Sequence, residues 1–159
     1  MDFKKAIDRF RDINGLVMTG ALALIILDLT IQVIARSFFG TAFAWVEETA
    51  RYLFIWMVLG SAVLAYNRNL FVAVDIYSKF MSQKVKFTAQ IIVHLVELFF
   101  FIFVLIASVE FMHFAKGQMT PAMRIPIGYI YFCFPLFFAQ FSLSALLKII
   151  SAIKRGPEC

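Results

Sequence analysis

Four apolar stretches, at residues 13–37, 43–66, 87–113 and 125–150, dominate this 159-residue chain. Each reaches the roughly 20 residues that a helix needs to cross the hydrocarbon core of a bilayer. A chain in hydrocarbon must satisfy its own backbone N–H and C=O groups, which a helix does within a single segment. Hydrophobic residues make up 62% of the sequence, against about 45–50% in a soluble domain, and the excess lies in these blocks. Phe supplies 20 residues; with no polar atom to satisfy, it suits a surface facing lipid. The expectation is an all-α integral membrane protein: one domain over residues 1–159 with four transmembrane helices.

Lysine and arginine placement orients the helices, because cytoplasmic connections carry the excess of both. Lys4, Lys5, Arg9 and Arg11 precede the first stretch, Arg68, Lys79, Lys84 and Lys86 follow the second, and Lys148, Lys154 and Arg155 close the fourth. These are eleven of the fifteen Lys and Arg residues. Arg36, Arg51, Lys116 and Arg124 fall on the other side. The asymmetry places both termini in the cytoplasm. The mixed charges before residue 13, the length of the first apolar run and the lack of a small-residue cleavage site predict a retained helix and not a cleaved signal peptide.

The connections are short. They leave no room for a nucleotide-binding module, and no glycine-rich phosphate loop is present, so an ATP-driven pump is not encoded in this chain alone. No basic cluster interleaved with aromatics suggests a nucleic-acid surface. Cys133 and Cys159 lack both a disulfide framework and metal-ligand spacing. In the 67–86 connection, Phe71, Val72, Val74, Ile76, Tyr77, Phe80 and Met81 alternate with Asp75, Lys79 and Lys84. That pattern predicts a short helix in the cytoplasmic interface, with a docking surface for a partner as the alternative. Pro135, inside the fourth stretch, should bend it near Tyr131.

Ionisable groups at membrane depth are costly and mark candidates for function. Asp28 and Gln32, four apart, share a helix face. They read as an ion or proton site or, preferred because no second carboxylate is placed beside them, as a helix–helix contact. His94 and Glu97 are three apart, as are Glu110 and His113. Glu-x-x-His is a ligand motif of di-iron bundles, but only one copy has that order, so local hydrogen-bonded pairs are expected and no cofactor. Glu47, Glu48 and Arg51 form the densest charge cluster. Their i,i+4 and i,i+3 spacing lets both carboxylates meet one guanidinium where the second helix enters the membrane. Trp45 beside them suits an interfacial anchor in contact with lipid headgroups. No constellation for hydrolysis assembles, so an enzyme is not expected.

The run FAWVEETARYLFIW at 43–56, followed by Leu59 and Gly60, then Val74–Asp75 and the run TPAMRIPIGY at 120–129, resembles one known family. It is the small membrane subunit, of the DctQ or SiaQ type, of tripartite ATP-independent periplasmic (TRAP) transporters. The resemblance spans nearly the whole chain. It implies a sodium-coupled importer in the bacterial inner membrane, in which a periplasmic binding protein captures a carboxylate substrate, such as sialic acid or a C4-dicarboxylate. It also implies a separate large membrane subunit that carries the transport sites, with this chain as its scaffold. Trp45, Glu47, Glu48, Arg51, Asp28 and Gln32 are then candidates for the subunit or lipid interface, and Lys116 and Arg124 for docking an acidic binding protein. Two other classes compete: a self-contained proton-linked channel or transporter using Asp28, His94 and Glu97, and a membrane redox or metal protein using Glu110 and His113.

Overall fold

The computed structural model describes residues 2–40, 43–70 and 83–155. Among these residues five helices follow in order: α1 (Asp2–Phe39), α2 (Ala44–Asn67), α3 (Gln83–Ala115), α4 (Ile127–Tyr131) and α5 (Cys133–Arg155). Four membrane-crossing segments result, Ile13–Phe39, Ala44–Asn67, Phe87–Ala115 and Ile127–Lys154, each long and apolar enough to cross a bilayer. The protein is therefore an all-α, multi-pass membrane protein. The expected interfacial helix falls largely on residues 71–82, outside the described residues.

The helix ends follow from local chemistry. Gly40, at φ +64°, stops α1 in a left-handed conformation that a side chain would resist. Asn69, at φ 55°, does the same after α2. There Leu70 N–H donates to Ala65 O at 3.0 Å and Asn69 N–H to Tyr66 O at 3.1 Å, the paired bonds of a Schellman cap.

The fourth span breaks at Phe132, between α4 and α5, as Pro135 leads one to expect. Proline lacks an N–H, and its ring crowds the carbonyl four residues earlier, here that of Tyr131. Next to the break, the Ile130 carbonyl accepts the indole N–H of Trp56 from α2 at 3.2 Å. α2 is thus tied to the fourth span one residue before the carbonyl that Pro135 leaves without a helical donor.

Across the bundle α1 packs on α2, α2 on α5, and α5 on α3, so α1 and α3 occupy the two flanks. The core is aromatic and lies between α2, α3 and α5. Tyr66 meets Phe101 and Phe141 edge-on at 5.4 and 5.7 Å, while Phe101 and Phe141 stack at 4.8 Å. Trp56 meets Phe137 edge-on at 5.9 Å. Such pairs add about 0.5–1.5 kcal/mol each beyond the area they bury.

The flanking helices are open. In the apolar stretch of α3 only 6% of residues are buried, and in that of α1 only 11%. Phe99, Phe103 and Phe114 on α3 and Phe38 and Phe39 on α1 all point outward, while Phe137 and Phe141 fill the core. Phenylalanine thus serves both surfaces. Apolar area of this extent has lipid or another subunit for its solvent.

Candidate functional site

At the end of the bundle opposite the termini, the first turn of α2 meets the connection between α3 and α4. Glu48 is buried there, at 7% exposure. Its carboxylate accepts the backbone N–H groups of Met123 at 2.8 Å and Ala122 at 3.1 Å, and the Tyr52 hydroxyl at 2.9 Å. Consecutive N–H groups turned toward one carboxylate make a small anion-binding concavity, filled here by the protein's own acid.

The connection is ordered by its own bonds as well. Thr120 is almost fully buried. Its N–H donates to Ile125 O at 2.9 Å, its hydroxyl oxygen accepts Ile125 N–H at 3.0 Å, and its carbonyl accepts Arg124 N–H at 3.1 Å. Ile127 N–H donates to Gln118 O at 2.9 Å, beside a Met119–Pro126 bridge. The Thr49 hydroxyl donates to Trp45 O at 2.8 Å and lies 3.4 Å from Met123 Sδ. This frame holds Arg124 at φ 53°, a left-handed conformation that costs a side-chain-bearing residue roughly 1–2 kcal/mol. Arg124 and Lys116 are both exposed at the edges of this connection, and Met119 and Met123 expose apolar surface between them.

The expected Glu47–Arg51–Glu48 ion cluster does not form. Among the described residues, the side-chain ion pair within 4.0 Å is His94–Glu97 alone. Glu47 and Arg51 are exposed. Helical spacing allowed the pairing, but an exposed ion pair contributes only about 0–1 kcal/mol. Two backbone donors that would otherwise lie unpaired beside Glu48 compete better for its carboxylate. Trp45 stands half-exposed with its ring 6.1 Å from that of Phe43.

A second polar cluster ties three helices near the end that carries the termini. The Tyr66 hydroxyl of α2 donates to Glu97 Oε2 of α3 at 2.6 Å, and His94 Nδ1 lies 2.9 Å from the same oxygen. Lys148 of α5 donates to the Tyr66 carbonyl at 2.7 Å and stands 3.6 Å from the centre of the Tyr66 ring. The His94–Glu97 pair is as expected from the spacing. The sequence analysis singles out neither Tyr66 nor Lys148 for a polar contact and counts Lys148 only among the cytoplasmic charges. The signal for it was present: a lysine inside the apolar run LLKII at 146–150. Glu110 and His113 do not pair; His113 Nδ1 instead lies 3.5 Å from Lys116 Nζ.

On α1, Asp28 and Gln32 part company. Gln32 Oε1 accepts the Phe43 N–H at 3.2 Å and so secures the start of α2. Asp28 has no hydrogen-bond or ion-pair partner among the described residues. It also stands apart from His94 and Glu97, since α2 and α5 lie between α1 and α3. Among the described residues no three His, Cys, Asp or Glu side chains are grouped so that they could hold a metal ion.

Both clusters do the same work in chemical terms. They fix helices and a connection to each other, and their polar groups are directed at one another. No curated protein sequence matches the chain. A family model, described as the DctQ component of tripartite ATP-independent periplasmic transporters, matches residues 25–155. The four apolar spans and this match over most of the sequence place the chain in the DctQ family, the small membrane component of TRAP transporters.

Proposed function

We propose that this chain is the fixed brace of a sodium-coupled importer in the bacterial inner membrane. Its partners are a large transport subunit and a periplasmic binding protein, and its cargo is a carboxylate such as sialic acid or a C4-dicarboxylate. The observation that carries the reading is the disposition of the polar groups. Glu48, Tyr52, Trp56, Tyr66, His94, Glu97 and Lys148 all bond within the bundle. A transporter instead needs irregular backbone around a central site, typically between repeated halves.

In this reading both termini face the cytoplasm, supported by the eleven Lys and Arg residues on that side. The connection held by Glu48 then faces the periplasm. Lys116 and Arg124 flank it and offer positive charge to an acidic face of the binding protein, which steers encounter more than it sets affinity. Trp45, Glu47 and Arg51 lie beside it at the headgroup boundary, in contact with lipid or the large subunit.

The test is reconstitution into vesicles of this chain, the large subunit and the binding protein, separately and together. Uptake of labelled substrate driven by a sodium gradient should require all three. Uptake by this chain alone, or undiminished uptake without it, would refute the reading.

A further inference from the structure

Among the described residues, α1 packs chiefly on α2. Its hydroxyls at Thr19 and Thr30 are satisfied within the helix, by Gly15 O at 2.9 Å and Ile26 O at 2.7 Å, and Gln32 is bonded to Phe43. Asp28 alone among these polar side chains is left without a partner among the described residues. It lies near the middle of the span Ile13–Phe39 and is partly buried. A carboxyl at that depth with no hydrogen-bond partner is unfavourable whether charged or neutral.

One turn further along, on the same side of the helix, an open apolar groove of about 610 Å³ is lined by Ile31, Ile34, Ala35 and Phe39 of α1 and by Phe43. Residues 28, 31 and 35 follow at i, i+3 and i+7, so carboxyl and groove form one continuous strip. The strip pairs a negative group at mid-depth with room for several large apolar side chains toward the end of the bundle.

We infer that Asp28 and this groove seat a transmembrane helix of the large subunit, whose apolar ridge fills the groove and whose Lys or Arg side chain meets Asp28. The inference rests on the brace reading above and adds to it which helix makes the contact and by what chemistry. A cation is the complement because Asp28 supplies a carboxylate beside an apolar groove, while Gln32, on the same face, is already bonded to Phe43. An ion pair formed there would be shielded from water and would fix depth and register, the two quantities that apolar contact alone sets poorly in lipid.

The experiment uses the affinity-tagged full chain co-expressed with the large subunit and purified in mild detergent. Asp28→Asn, Asp28→Leu and Ile34→Trp should each lower recovery of the large subunit about tenfold or more, as loss of one buried charged contact does. The same variants expressed alone should melt no lower than the wild-type chain, which separates a lost contact from a lost fold. In a Cys133→Ala, Cys159→Ser background, Ile31→Cys should cross-link to the large subunit, and Val33→Cys, on the other side of α1, should not. Undiminished recovery with Asp28→Leu overturns the inference. So does cross-linking of Ile31→Cys to a second copy of this chain, or a phospholipid that Ile34→Trp displaces without loss of the subunit. If wild-type chain fails to recover the large subunit, the brace reading falls too; if wild type and variants recover it equally, only the inference falls.

Discussion

The Glu48 carboxylate lies 2.8 Å from the backbone nitrogen of Met123, a residue 75 positions later in the chain. This bond joins the start of α2 to the connection between α3 and α4, and its neighbour at Ala122 makes the attachment two-pronged. Glu48→Ala should therefore loosen the connection before it unfolds the bundle. Limited trypsin digestion of the purified protein should show cleavage after Arg124 about tenfold faster, the rise in open population expected when buried donors lose their acceptor. Arg51→Ala should leave stability within about 0.5 kcal/mol of wild type, because Arg51 is exposed and makes no ion pair.

Arg124 combines a strained backbone with an exposed positive charge. Arg124→Gly should stabilise the protein by up to about 1 kcal/mol, since glycine accepts a left-handed conformation without a steric cost. The same change should slow association with the periplasmic binding protein if the charge steers docking, and Lys116→Ala should add to that effect. Stability by denaturant titration and association by surface capture separate the two consequences.

Tyr66 is bonded through both its hydroxyl and its carbonyl, to Glu97 and to Lys148. Tyr66→Phe should cost about 1 kcal/mol, the net value of one neutral-to-charged hydrogen bond less the neighbouring support from His94. Glu97→Gln should cost less in the Tyr66→Phe background than it does alone, because the Tyr66–Glu97 bond is then already lost and only the His94 contact remains to change. Lys148→Met keeps the stem over the ring and removes the ammonium; its cost should be about 1–2 kcal/mol, from the lost hydrogen bond and ring contact. Unfolding in mixed micelles measures each.

Gly60 lies against the Met18 side chain, where an added Cβ would overlap Met18 Sδ. Gly60→Leu should destabilise the α1–α2 pair by about 1–3 kcal/mol through overpacking. Met18→Ala in the same chain should recover most of that loss, and a double-mutant cycle tests the contact directly.

Trp56→Phe should cost about 1 kcal/mol by leaving the Ile130 carbonyl without its indole donor. With Pro135→Ala the helix can close across residue 132, and the Trp56→Phe cost should then shrink. Equal costs in both backgrounds would show that the indole bond and the helix break are independent.

Much of this architecture could be read from residue patterns. The predicted stretches 43–66 and 87–113 correspond to the spans Ala44–Asn67 and Phe87–Ala115. Pro135 announced the break at Phe132, because proline acts on a neighbour four residues away. His94 and Glu97 announced their own pairing, for the same local reason. Where the structure departs from local spacing, the spacing allowed several partners: Glu48 takes one from a distant connection, and His113 takes another only three residues away. Glu48 was matched to Arg51 and found the amides of Ala122 and Met123. Glu110 was matched to His113, whose ring lies nearer Lys116.

The sequence by itself determined the number of spans, the helical class and the family. Hydrocarbon length and backbone satisfaction are properties of single segments, and the family pattern is carried by the order of residues along the chain. Only the tertiary structure decided which polar groups meet. The bonds Glu48–Met123, Trp56–Ile130 and Lys148–Tyr66 join residues 75, 74 and 82 positions apart, and no helical period encodes such distances. Asp28 completes the division: its place in an apolar helix is plain in the sequence, but that no other described residue partners it follows only from the packing of the helices.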